Sequence, residues 1–153
     1  MEQPEISEQL FKLLNGEQLE NKQHEAMMLL SVTEDHWPHT AMISVGEIIA
    51  LSRTKLRLAM WPNTTTTGNL IRTEKATLVL FYEGIAHYVR LSLRRLPLLA
   101  DSLHTRERFE AEVVSAREDV AKYADITSGV QVQLKDNEAV IQRWNETLAE
   151  LKM

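Results

Sequence analysis

Four consecutive threonines, Thr64 to Thr67, sit between Asn63 and Gly68 in a stretch that reads L-R-L-A-M-W-P-N-T-T-T-T-G-N-L-I-R-T-E-K-A-T-L-V-L-F-Y-E-G from Leu56 to Gly84. An apolar strand runs into a Pro-Asn turn, the threonines open a short helical segment, and a second apolar strand follows. Such a turn can hold an anion, because the first amides of a helix lack intrahelical partners and hydroxyls stand beside them. Threonine and asparagine also cap helices and shape turns with no ligand present, so both readings stand. Trp61 ends the strand just before the turn, which would bring an aromatic face close to several hydroxyls if the strand ends at a cleft.

Other chemistries find less support. His36 and His39 lie three apart with Asp35 beside them, but they flank Trp37-Pro38 in an expected hairpin, where that spacing does not put ligands on one face; no metal site is expected. Glu34-Asp35 reads as a turn. There is no G-x-S-x-G, no G-x-G-x-x-G after a strand and no glycine-rich loop ending in Lys-Ser or Lys-Thr, which removes the usual serine-hydrolase, Rossmann and P-loop signatures. The absence of cysteine removes disulfides, thiolate catalysis and iron–sulfur clusters, so redox chemistry would need a cofactor. No residue stands out as a catalytic acid or base.

The chain has 153 residues, 44% apolar and 25% charged, which suits one globular domain over 1–153 and argues against disorder. A formal net charge of −5 argues against a general nucleic-acid binder. Residues 24–100 carry eight bases against six acids, whereas both flanks are net acidic, a pattern that suits a cleft-bound anion better than an open polyanion surface. No apolar run approaches the ~20 residues of a membrane helix, and the acidic start M-E-Q-P-E-I-S-E has no signal-like apolar region; the expectation is a cytoplasmic protein without a membrane partner.

The elements that must position the turn follow from periodicity. Pro4–Leu14 predicts a helix, stopped by Gly16, within an N-terminal segment 1–23. His24–Thr33, Thr40–Val45, Glu47–Ser52, Leu56–Trp61, Ala76–Glu83 and Ile85–Leu96 predict strands of a core spanning 24–100. In 101–153, Phe109, Val113, Ala116, Val120 and Tyr123 at spacings of 4, 3, 4 and 3 predict a helix from His104 to about Ala124. Val130, Val132 and Leu134 predict a last strand, and Asn137 caps a final helix with Ile141, Trp144, Leu148 and Leu151 on one stripe. The class is α+β, mainly β: an antiparallel barrel or strongly curved sheet with peripheral helices and a C-terminal helix–strand–helix extension.

Over residues 24–96 this order resembles the pyridoxamine 5′-phosphate oxidase-like group of FMN-binding split barrels. The resemblance rests on the hairpin D-H-W-P-H-T-A-M-I-S, the strand L-R-L-A-M-W, the turn P-N-T-T-T-T-G-N-L-I-R-T and the strand K-A-T-L-V-L-F-Y. It implies a split barrel, and a homodimer with two FMN sites at the subunit interface. It implies that Thr65, Thr66 and Thr67 donate to the FMN phosphate, that Asn63 and Asn69 support the turn, and that the ring lies along Met42, Ile43 and Ser44 near Trp61. Members often carry a lysine or arginine in this turn or on the preceding hairpin strand, where this chain has Gly68 and Thr40. The expectation is an FMN-binding protein acting as an oxidoreductase on a small molecule; a non-catalytic flavin or small-ligand binder or sensor, and an interaction protein working through its acidic extension, are the alternatives.

Overall fold

A computed structural model describes residues 3–153. Ile6, Leu10, Leu13 and Leu14 are all buried, and the last three lie on helix α1 (Glu8–Leu14), whose cap is Ser7: its hydroxyl accepts the Leu10 amide at 3.1 Å. A four-residue helix α2 (Leu19–Lys22), unmarked by any periodic pattern, comes next. The remaining elements are β1 (Ala26–Val32), β2 (Pro38–Ser44), β3 (Ile48–Ala50), β4 (Lys55–Met60), α3 (Thr65–Thr73), β5 (Lys75–Tyr82), β6 (Ile85–Arg95), β7 (Glu107–Asp119) and α4 (Asn137–Leu151). Among the described residues no helix is long and apolar enough to cross a membrane.

Seven strands form one antiparallel sheet in the order β2-β1-β5-β6-β7-β4-β3, curled into a half-barrel with helices around it. This is the expected split-barrel class. Alternation decides which side chains enter the core: Leu78 and Leu80 from β5 face Val89, Leu91 and Leu93 from β6 inside, with Phe109 and Ala111 from β7 completing the floor. Leu70 from α3 and Leu148 and Leu151 from α4 join the same cluster.

Residues 107–119 are a strand, not the helix that the 4-3-4-3 spacing predicts. The sequence F-E-A-E-V also alternates, and that period wins because β4 and β6 both present unpaired edges that β7 fills, with Leu58 opposite Phe109 on one side and Leu93 opposite Ala111 on the other. A register shift opposite Arg90/Leu91 marks a bulge there. The later members of the supposed helical stripe have no core to meet: Tyr123 is 90% exposed. The Val130–Leu134 strand is also corrected, to a single antiparallel bridge between Gln131 and Glu25 with the Ala26 amide on the Val130 carbonyl and the Val132 amide on the His24 carbonyl. The final helix forms, but Asp136 caps it, accepting the Ala139 amide, and Asn137 is its first residue.

Helix α4 is fastened to the sheet near its middle and at its C-terminal end. Near its middle Trp144 covers the turn at Gly46, so closely that a Cβ at position 46 would lie 1.9 Å from the indole Cγ. At its C-terminus the guanidinium of Arg57 donates to the Leu151 carbonyl at 2.9 Å and that of Arg108 to the Glu150 carbonyl at 3.3 Å, placing cations where carbonyls lack helical partners. Arg57 also reaches the Glu110 carboxylate at 3.1 Å, which takes Arg94 at 2.8 Å and Lys55 at 3.7 Å. The Arg94 hydrogen bond leads in holding the Glu110 carboxyl below its ordinary range, against the opposing effect of burial.

Candidate functional site

The threonine turn is built by its cap. Asn63 adopts a left-handed conformation with φ of 62°, which asparagine tolerates, and the chain then enters α3 with Thr64 as the N-cap. The Thr64 hydroxyl accepts the Thr67 amide at 3.1 Å and donates to the Thr67 hydroxyl, which in turn donates to the Trp61 carbonyl at 2.6 Å. Thr67 is only 2% exposed. Its side chain thus locks the turn and has no hydroxyl proton to spare. The amides of Thr65 and Thr66, at the first two helical positions, keep their orphan character, and Thr65 is exposed.

The rest of α3 is pinned to β1 and its hairpin. Buried Asn69 donates through Nδ2 to the Ser31 hydroxyl at 3.0 Å and accepts from Arg72 through Oδ1 at 3.3 Å, so it supports the turn from inside the fold. Arg72 also donates to the Val32 carbonyl and lies 3.9 Å from Glu34. Gly68 has open space around it: a Cβ there would meet nothing within 4 Å. Since its backbone is helical, Gly68→Ala is expected to raise stability by about 1 kcal/mol, read as a higher urea midpoint with unchanged slope; a lower midpoint would mean that the glycine answers a constraint absent from this geometry.

A histidine that sequence reasoning set aside faces the turn. His39 lies on β2, on the same side as Ala41 and Ile43, and its Nε2 shares a hydrogen bond of 3.1 Å with the hydroxyl of Thr66, itself 6% exposed. The only sequence signal for it is that parity: once residues 38–44 are a strand, position 39 points the way buried Ile43 points. His36 sits instead in the hairpin turn with φ of 66°. Among the described residues no three His, Asp or Glu side chains gather as metal ligands.

The other expected residues lie further along. β2 is an edge strand, so one side of its backbone has no strand partner. Met42 is 56% exposed and Ile43 is buried. The amide and hydroxyl of Ser44 both donate to Glu47 Oε1, at 3.1 and 2.8 Å. Burial pushes the Glu47 carboxyl up, opposed by those two bonds and by Arg106 and Arg143. Trp61 is half exposed, and one ring face is covered by the Arg106 guanidinium at 3.4 Å from the centroid. Beside the hairpin, a groove of about 790 Å³ runs over β1, β5 and β6, with Leu30, Val32, Thr77 and Val114 on its walls and Lys75 and Arg90 at hand. Neither cation makes an ion pair among the described residues.

Comparison with known proteins gives one close relative and several distant ones of like fold. The chain is 54% identical over 147 residues to the uncharacterized protein YclD of Bacillus subtilis (strain 168), covering 96% of each chain. A candidate pyridoxamine 5′-phosphate oxidase from Lactobacillus delbrueckii superposes with a TM-score of 0.58 at 14% identity, covering 74% of this chain and 93% of that one. A second, from Listeria innocua, gives 0.52 at 12% identity, covering 72% and 94%. At such identities the likeness is one of fold. No family model matches the sequence.

Proposed function

The chain belongs to the same family as Bacillus subtilis YclD and is built on the pyridoxamine 5′-phosphate oxidase-like split barrel, and from that premise we propose that it binds FMN, as a homodimer, and serves a flavin-dependent oxidoreduction of a small molecule. The observation that carries this reading is the pairing of Thr66 with His39 beside the two free amides at the start of α3. Backbone donors and a hydroxyl lie there without a lysine or arginine; in the tautomer whose Nε2–H donates to Thr66, His39 orients that hydroxyl, and a phosphate could take hydrogen bonds from it and from the two amides.

At a rise of ~3.3 Å per residue, Met42 lies roughly 10 Å along β2 from His39, so a phosphate at the turn leaves the outer edge of this strand for the ring. Met42 offers its backbone groups on that edge; Ile43 turns its own toward β1, and Ser44, whose amide and carbonyl Glu47 already takes, offers less. Bound flavin would supply two-electron redox chemistry, while the chain's own groups bind, orient and exclude water. The partner subunit in this reading covers the groove over β1, β5 and β6, where the exposed valines 32 and 114 lose water and the cations Lys75 and Arg90 come within reach of the cofactor anion.

The test is the absorbance spectrum of freshly purified protein, followed by titration with FMN and with riboflavin. A yellow protein, or FMN binding at least about tenfold tighter than riboflavin, is expected, since one charge-assisted hydrogen-bond set to phosphate amounts to about 1.5–3 kcal/mol. Colourless protein that ignores both compounds rejects the flavin reading, and equal affinity for the two rejects the phosphate role of the turn.

A further inference from the structure

Two arginines, one of them stacked on Trp61, meet a cavity. The cavity, about 310 Å³, lies between the end of α4, the start of β7 and the segment from Leu98 to Thr105. That volume is at the small end of ligand pockets. Ala59, Leu98 and Leu99 make its apolar wall, and Arg106 and Arg108, with His104 and Glu150, part of its polar one.

Arg108 is 6% exposed, and its role in holding α4 uses only part of its guanidinium. Nη1 donates to the Glu150 carbonyl and Nη2 to the Pro97 carbonyl at 2.8 Å, while Nε is buried with no partner. No carboxylate lies within ion-pair distance of it among the described residues. A buried guanidinium with no carboxylate at ion-pair distance is costly, and an anion in the cavity would relieve that cost. Burial depresses the Arg108 pKa and nearby Arg57 depresses it further, with Glu150 opposing both.

Arg106 is only partly buried. It lies flat on Trp61, donates to the Thr105 carbonyl at 3.1 Å, and has Glu47 and Glu150 only at longer range. The carboxylates around the cavity are engaged elsewhere: Glu150 accepts the Leu103 amide and Glu146 accepts from His104 at 2.8 Å. Their remaining charge weighs against a polyanion. We propose that this cavity is a binding site for a small monocarboxylate with a short apolar body, its carboxylate held by Arg106 and Arg108 and its chain against Leu98, Leu99 and Ala59.

Hexanoate, inorganic phosphate and the full-length protein test this without any flavin, so the outcome is separate from that of the FMN titration. In a ¹⁵N spectrum of arginine side chains, hexanoate is expected to shift the Arg108 Nε–H resonance saturably, and Arg108→Met to delete that resonance and weaken hexanoate binding at least about tenfold by calorimetry. Because Arg108 also secures α4, Arg106→Met, at a half-buried position, provides the second variant, with the same loss of affinity expected and unchanged thermal unfolding. No movement of Arg108 Nε–H at hexanoate concentrations well above millimolar overturns the site. Undiminished binding by Arg106→Met removes the two-arginine clamp, and a response to phosphate as strong as that to hexanoate overturns the monocarboxylate class.

Discussion

Gly46→Ala should destabilise the protein by about 3 kcal/mol, the upper part of the usual range for overpacking a core. The methyl carbon would sit 1.9 Å from Trp144 Cγ and 2.2 Å from Cδ1, well inside contact distance, and the indole is buried against β3 and β4, so it cannot swing away without opening the interface of α4. The measurement is the urea midpoint at constant slope. Gly46→Ala combined with Trp144→Leu should recover part of the loss relative to the sum of the two single changes, because the smaller side chain makes room for the methyl. A Gly46→Ala protein as stable as its parent would show that the helix docks on this turn less tightly than the geometry requires.

The second large effect separates residues that look alike in sequence. Thr66→Val and His39→Leu are each expected to lower FMN affinity about tenfold or more, with stability little changed, because the first removes a donor from the proposed phosphate cradle and the second removes the ring that orients it. Thr67→Val should do the reverse. Its hydroxyl bonds the Trp61 carbonyl inside the fold, so its loss is expected to cost about 1–3 kcal/mol of stability and to leave binding by well-folded protein nearly intact. Fluorescence titration of FMN alongside urea unfolding of the three variants reads both quantities. If Thr67→Val weakens binding more than Thr66→Val does, the division of labour among the threonines is wrong.

Much of the fold is legible because its strands are short, alternating and punctuated. The six strands from Ala26 to Arg95 lie where period-2 patterns and turn residues put them, and the threonine helix lies where the cap chemistry does. The failure at 104–124 has a specific cause: Phe109, Val113 and Ala116 satisfy a helical period while Phe109, Ala111 and Val113 satisfy a strand period, and only the presence of two partner edges decides between them. Val130 to Leu134 fail for the opposite reason. β1 is already paired on both sides, by β2 and β5, so an eighth strand there finds only the residues that precede β1 and makes one bridge.

The candidate sites were less readable, since their important pairs are distant in sequence. Neither the contact of His39 with Thr66 nor the stacking of Arg106 on Trp61 follows from any local pattern. Arg108 hides most completely: within the apparent helix it reads as one more solvated charge, and only the inward turn of β7 buries it. Burial of a charge is a property of the assembled sheet, which is why composition and spacing are silent about it.

The place of β7 between β6 and β4 also sets an order of events. The hairpins β1–β2 and β5–β6 pair near neighbours in the chain, whereas the pairing of β1 with β5 and the ladder that joins Met60 to Glu107 must each close a long loop, the second spanning α3 and two long strands. On a ribosome, the hairpin of β3 and β4 therefore emerges ahead of β7 and stays without its second partner until that strand has been made, and its arginine at 57 waits longer still for Leu151 at the close of α4. Until β7 is made the nascent chain carries a half-finished sheet with two bare edges, those of β4 and β6, which β7 fills together, and the last turn of α4 afterwards ties down Arg57.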